Sequence, residues 1–193
     1  MKALTEKELL ERLRTRFSRV NGNGPRYVFT DHVKSGAGWS RAGFWAGNGC
    51  ENRIIDGFLM ALTLSDRLEL TAFEIKSSRS DLLRELADPT KAAAFTDKID
   101  KFVLVVGDKG IIRDGELPDS WGLMVPSGDG LRMKVQPSPL HDRPDTGRMV
   151  GGRPEPDYTL PPGFDRSFLA ALLRSTARAA APSSPERPPR EEE

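Results

Sequence analysis

The chain has 193 residues, of which 37% are hydrophobic and 30% charged, so one globular domain with a modest core and a tail is expected. A formal net charge of +1 does not announce a nucleic-acid binder, and any cationic surface has to come from arrangement. One cysteine (Cys50) excludes an intrachain disulfide, and one Cys with two His (His32, His141) excludes a structural zinc site, so a bound metal must be held by carboxylates and be a hard cation such as Mg2+ or Mn2+.

In chain order, Thr5 and Glu8 have the capping-box spacing, and Leu9, Leu10, Leu13 and Phe17 recur at helical intervals, which predicts a helix over 6–19. The Asn21-Gly22-Asn23-Gly24-Pro25 cluster stops it. Tyr27 to Val33 reads as a strand. Residues 35–50 hold five glycines with Trp39, Phe44 and Trp45, an irregular loop whose tryptophans are expected to pack as large hydrophobes. Neither Gly36-Ala37-Gly38 nor Gly47-Asn48-Gly49 completes a nucleotide-binding pattern. Residues 53–62 form a near-continuous apolar run, as a strand covered on both faces would. Leu68 to Ile75 is a second strand.

Ser78 and Asp81 have N-cap spacing, and Leu82, Leu83 and Leu86 are expected to form one helical face ending before Pro89. A short helix over 90–98 follows, then strands at Lys101 to Val106, Trp121 to Val125 and Leu131 to Val135. Ten of the chain's 15 prolines lie beyond residue 137, so 1–137 is predicted as the main domain and 138–163 as a Pro/Gly-rich linker. A helix is expected over 164–181, with Phe168, Leu169, Leu172 and Leu173 on one side. A disordered tail is expected over 182–193. The longest apolar stretch, Phe102 to Val106, is far too short to cross a bilayer, and residues 1–17 carry no signal-peptide core. A cytoplasmic protein without membrane contact is the expectation.

Chemistry concentrates at Asp56 and, 17 intervening residues later, at Glu74-Ile75-Lys76. Strand alternation puts Glu74 and Lys76 on one side. An Asp within an apolar strand is costly unless compensated, and two nearby carboxylates repel unless a cation lies between them. Phosphodiester hydrolysis uses such a set: the cation polarises the phosphoryl group, and Lys76 orients water, stabilises charge or, with a lowered pKa, acts as a base. The bland alternative is a solvent-facing Glu/Lys pair on a strand and an Asp in a turn beside Gly57.

The stretch Phe73-Glu74-Ile75-Lys76-Ser77-Ser78-Arg79-Ser80-Asp81 resembles a group of small phage and bacterial proteins of the PD-(D/E)XK nuclease superfamily, and is similar to the MmcB-like DNA repair proteins. Arg84-Glu85-Leu86, Asp88-Pro89, Lys91, Asp100, Gly115-Glu116-Leu117-Pro118 and Trp121-Gly122-Leu123 follow in the same order, and Asn52-Arg53 precedes Asp56. The resemblance covers residues 52–125. It implies an α/β (α+β) restriction-endonuclease-like core, a mixed central sheet flanked by helices. It also implies Asp56 and Glu74 as metal ligands, the Ile75 backbone carbonyl as a third, and Lys76 as catalytic. Ile55 stands where the family's name has Pro.

The family often carries an acidic residue on an N-terminal helix, for which Glu11 is preferred over the capping Glu8. Arg79 and Lys91 are candidates for contacting nucleic acid, with a surface salt bridge as the rival account of Arg79 and plain solvation that of Lys91. Asp81 is expected as a helix cap and His32 as structural. The expected activity is Mg2+- or Mn2+-dependent hydrolysis of DNA in repair, recombination or phage DNA processing, with DNA as partner and a homodimer as an option. The main rival is a nucleic-acid-binding protein that kept the fold and lost catalysis.

Overall fold

A computed structural model describes residues 3–18, 20–21, 24–36, 53–88, 90–142, 149–150, 153–154 and 159–180. Thr5 opens helix α1 (Glu6–Phe17): its hydroxyl accepts the Glu8 amide at 3.3 Å while the Glu8 carboxylate accepts the Thr5 amide at 2.7 Å. This reciprocal cap satisfies two donors that a helix start leaves open. Strands β1 (Val20–Asn21) and β2 (Gly24–Pro25) form a small hairpin. The main strands are β3 (Tyr27–Lys34), β4 (Ile54–Ala61) and β5 (Leu70–Lys76). Helices α2 (Arg79–Ala87) and α3 (Thr90–Thr96) lead to β6 (Lys101–Val106), β7 (Gly122–Ser127) and β8 (Gly130–Val135). A second small hairpin, β9 (Met149–Val150) with β10 (Arg153–Pro154), precedes α4 (Arg166–Ala180).

The six main strands make one mixed sheet in the order β3-β4-β5-β6-β7-β8. Strand β5 is antiparallel to β4 and parallel to β6, and β6 is parallel to β7. Parallel neighbours need a crossover, which α2 and α3 supply between β5 and β6. Every residue of β5 is buried, and its side chains divide by alternation. Leu70 and Ala72 pack with Leu82 of α2, Phe95 of α3 and Phe168 of α4, whereas Phe73 and Ile75 pack with Leu9, Leu10 and Leu13 of α1. The fold is thus an α/β sheet with α1 on one side and α2, α3 and α4 on the other, in agreement with the expected class.

Three local expectations are corrected. The second apolar strand starts at Leu70, because Arg67 and Leu68 take left-handed φ angles of 57° and 51° in the preceding turn. In α2, Leu83 is 47% exposed, and Glu85, three residues on from buried Leu82, takes the inward position instead. In α4, Phe168, Ala171, Leu172 and Ser175 face inward, while Leu169 and Leu173 are exposed. That helix belongs to the core: the Phe168 ring lies 5.3 Å from Phe164, 5.8 Å from Phe58 and 6.2 Å from Phe95. The globular unit therefore takes in residues beyond 137. The tryptophans of the glycine-rich loop, Trp39 and Trp45, and the tail from 182 lie outside the described residues.

Gly107 shows how tightly α1 is tied to the sheet. Its carbonyl accepts the Leu4 amide at 3.0 Å, and a Cβ there would run into the Leu4 backbone. Its own amide donates to the Lys76 carbonyl at 2.9 Å, so the end of β5 is fixed from the β6 side.

Candidate active site

Asp56 reaches its position through a break in strand regularity. His32, in β3, has a φ of 51°, and the β3–β4 register runs through Asp31↔Gly57 and Val33↔Ile55 without pairing His32 to Asp56. The faces exchange across this point. Phe29 and Leu59 pack under α1, whereas Val33 and Ile55 join the core on the opposite side. Strict alternation would keep Phe29 with Val33, and Ile55 with Leu59, on one face.

The β4–β5 register ends at Gly57↔Phe73, so Asp56 and Glu74 are the next residues along the two separating strands. There the Asp56 Oδ2 accepts the Ile75 amide at 2.8 Å, supplying the acceptor that a continued ladder would have provided. In a strand, the N–H and C=O of one residue point to the same edge, so the Ile75 carbonyl also faces the side on which Asp56 stands.

Glu74 and Lys76 lie on the α2 side of the sheet, 0% and 5% exposed. The Lys76 Nζ donates to the Glu74 Oε1 at 2.7 Å and lies 2.9 Å from the Glu85 Oε2 and 4.0 Å from the Asp81 Oδ2. The solvent-facing pair on a strand is therefore not what forms. Burial pulls the Lys76 ammonium down, but the charge and hydrogen bonds of Glu74 and Glu85 outweigh it and hold its pKa above the ordinary lysine value. In this clasp Lys76 carries its proton.

The sequence reading assigns Glu85 no role of its own. Its signal was positional: a carboxylate three residues after Leu82 falls on the buried stripe of an amphipathic helix, where an apolar residue is the rule. Ser78 caps α2, its hydroxyl accepting the Asp81 amide at 3.2 Å, so the capping function expected of Asp81 falls to Ser78. The Asp81 side chain instead meets Arg84 at 3.1 Å and faces Lys76.

The other candidates are distributed differently. Glu11 is 71% exposed on α1, where it pairs with Arg14 at 3.7 Å. As α1 packs on the Phe73 and Ile75 side, Glu11 and Glu74 are separated by the sheet, and the N-terminal helix brings no carboxylate to Lys76. Arg79 pairs with Glu116 through both guanidinium NH groups, one of which also donates to the Ile111 carbonyl at 2.9 Å. The salt-bridge account of Arg79 is the one this arrangement matches. Lys91 falls on α3, and its side chain lies outside the described residues. His32 keeps a structural place in the β3 irregularity, its carbonyl 3.5 Å from the Ser175 hydroxyl.

Several other residues of the 52–125 stretch hold the scaffold together. The Asp100 carboxylate accepts the Leu70 amide at 2.8 Å, Asp88 lies 3.6 Å from Arg53, and Trp121 packs on Phe102 with ring centres 4.2 Å apart. Arg79 and Glu116 join the start of α2 to the segment before β7. Hydrogen bonds from Arg79 and from the Arg113 amide hold the Glu116 carboxyl down to about 2, against an ordinary value of 4.5. A depressed folded-state pKa contributes stability that is complete above the unfolded value and is lost as pH falls toward the folded value. Glu116→Gln is therefore expected to lower the Tm at pH 7, with the gap from the parent protein closing between about pH 4.5 and pH 2. Paired melting curves across that range check it, and a gap that stays constant with pH would count against the pair.

The donor set suits a hard cation. Asp56 and Glu74 stand on adjacent strands with oxygen donors only, and Glu74, Glu85 and Asp81 place three carboxylates around one ammonium, an excess of negative charge. Among the described residues, no group of three or more His, Cys, Asp or Glu side chains is set to hold a metal by itself. Asp56, Glu74 and a main-chain oxygen are thus what the site has to offer.

No protein-family description matches the chain, and no curated protein matches it. Among solved structures, it is similar to a protein of unknown function from Silicibacter pomeroyi, with 13% identity and a TM-score of 0.48, over 93% of this chain and 86% of that one. Among the described residues, no helix is long and apolar enough to cross a membrane.

Proposed function

We propose that this protein is a divalent-metal-dependent nuclease of the PD-(D/E)XK type that hydrolyses DNA phosphodiester bonds. The observation that carries the reading is the junction at the end of β5. There Asp56 is locked to the Ile75 amide while Glu74 and Lys76 project side by side from the strand, 2.7 Å apart.

In this reading Asp56, Glu74 and the Ile75 carbonyl hold Mg2+ or Mn2+, which neutralises charge on the phosphoryl group when bound. The Ile75 amide fixes the orientation of Asp56, so its carboxylate is set before any ligand arrives. Lys76, held protonated, offers a positive charge to the oxygens that become more negative as the P–O bond breaks. The sheet order, with an antiparallel β4–β5 pair continued by parallel β6, supports the restriction-endonuclease-like assignment.

The test is a panel of labelled single-stranded, duplex and branched DNAs incubated with Mg2+ or Mn2+, beside a chelator control and the Asp56→Ala and Glu74→Ala variants. Cleavage is expected in metal, and loss of all cleavage in chelator and in both variants. Cleavage that survives chelation and both substitutions sinks the proposal.

A second reading is favoured by one specific observation. Lys76 is buried and clasped between Glu74 and Glu85, and Arg79 is committed to Glu116, so the charged side chains of this end are already partnered. A nucleic-acid-binding protein that keeps the nuclease fold without catalysis would be content with such an arrangement. DNA binding that persists in chelator, with no cleavage of any substrate in either metal, selects it.

A further inference from the structure

We propose that Glu85 is a positioning residue that retains the Lys76 ammonium when Glu74 turns to a divalent cation. The inference rests on the nuclease reading for the cation's place, but its evidence lies in the buried clasp.

One ammonium sits between two carboxylates, 2.7 Å from the Glu74 Oε1 and 2.9 Å from the Glu85 Oε2. Glu74 therefore has two calls on it. A cation held with Asp56 needs it, and so does Lys76, which is 5% exposed and cannot turn to water. A buried ammonium that loses its only anion is strongly disfavoured, so a Lys76 paired with Glu74 alone would resist giving it up. Glu85 removes that conflict, because an anion stays beside Lys76 when Glu74 changes partner.

The fold holds Glu85 to this task. Helix α2 is capped by Ser78 and pinned by Leu82, which is 0% exposed, and Glu85 is 9% exposed one turn further on. Asp81, one turn before Glu85, lies 4.0 Å from the same Nζ and adds negative charge on the helix side. Lys76 thus has its reserve anions on α2 and its shared anion on β5. A lysine whose only duty was to neutralise Glu74 would need no buried carboxylate from the helix.

The proposal makes Glu85 matter for metal binding only while Lys76 is present. Mn2+ binding to the full chain is measured by titration calorimetry, with circular dichroism and melting curves to establish folding. Glu85→Gln, nearly isosteric, is expected to weaken Mn2+ binding by about tenfold, the usual scale for residues that orient ligands from behind. In the Lys76→Met background, which lacks the competing ammonium, the same substitution is expected to leave Mn2+ affinity unchanged within about twofold. Glu85→Asp, which keeps the charge, is expected to recover part of the loss and serves if Glu85→Gln does not fold.

Unaltered affinity in Glu85→Gln overturns the inference, as does an equal loss in both backgrounds, which would mark a merely structural carboxylate. Failure of the nuclease reading is distinguishable. If the parent protein binds no Mn2+, the metal site and this inference fall together. If it binds Mn2+ with the predicted pattern yet cleaves no DNA, the inference stands without the activity.

Discussion

In the proposed nuclease, Lys76→Ala is expected to lower DNA cleavage by roughly a hundred- to a thousandfold, the scale seen when one preorganised charge-stabilising group is removed from a reacting centre. The same substitution is expected to destabilise the fold by about 3–5 kcal/mol, because it removes the buried ammonium that lies between the carboxylates of Glu74 and Glu85. The two effects separate experimentally. Urea unfolding reads the second, and single-turnover cleavage of labelled DNA at a temperature where the variant is folded reads the first.

A control sharpens the stability arm. Replacing the clasp as a unit, with Glu74→Leu, Lys76→Met and Glu85→Leu together, is expected to recover most of the lost stability, since apolar residues of similar size often match or exceed a buried ionic cluster. Stability regained with cleavage still absent would mean that these charges are kept for chemistry. A Lys76→Ala protein as stable as its parent would show that the clasp is not formed in solution. Undiminished cleavage in a folded Lys76→Ala protein would remove Lys76 from the proposed mechanism.

Phe168→Ala is the second large effect expected, a loss of about 3–5 kcal/mol of folding stability. Phe168 is fully buried and meets Phe58 of β4, Phe95 of α3 and Phe164, so its removal opens a cavity where α4, α3 and the sheet meet. Leu173→Ala on the same helix is 62% exposed and is expected to cost less than about 1 kcal/mol. Denaturant midpoints of the two variants make the comparison. Similar small losses in both would mean that α4 is not docked on the sheet.

That contrast marks the limit of pattern reading in α4. Phe168, Leu169, Leu172 and Leu173 all lie within one broad apolar arc, and periodicity alone left open which edge of it meets the core. Packing chose the edge carrying Phe168, Ala171, Leu172 and Ser175, because small residues let the helix approach the sheet. The same ambiguity in α2 hid Glu85: a leucine at 83 looked like the better core residue, yet the helix turns it outward.

Local chemistry did make other features legible. The Thr5–Glu8 box, the Ser78 cap, the glycine and proline breaks and the apolar runs at 53–62 and 101–106 each depend on neighbours within a few residues, so one sequence sufficed to place α1, the start of α2, β4 and β6. Period-two alternation likewise puts Glu74 and Lys76 on one face from the sequence alone. Tertiary structure alone decided the rest. The left-handed His32 that redirects Asp56, the sheet that separates Glu11 from Glu74, the Arg79–Glu116 bridge and the burial of Lys76 between two glutamates all depend on residues far apart in the chain, whose meeting is set by packing and by the need to pair every buried charge.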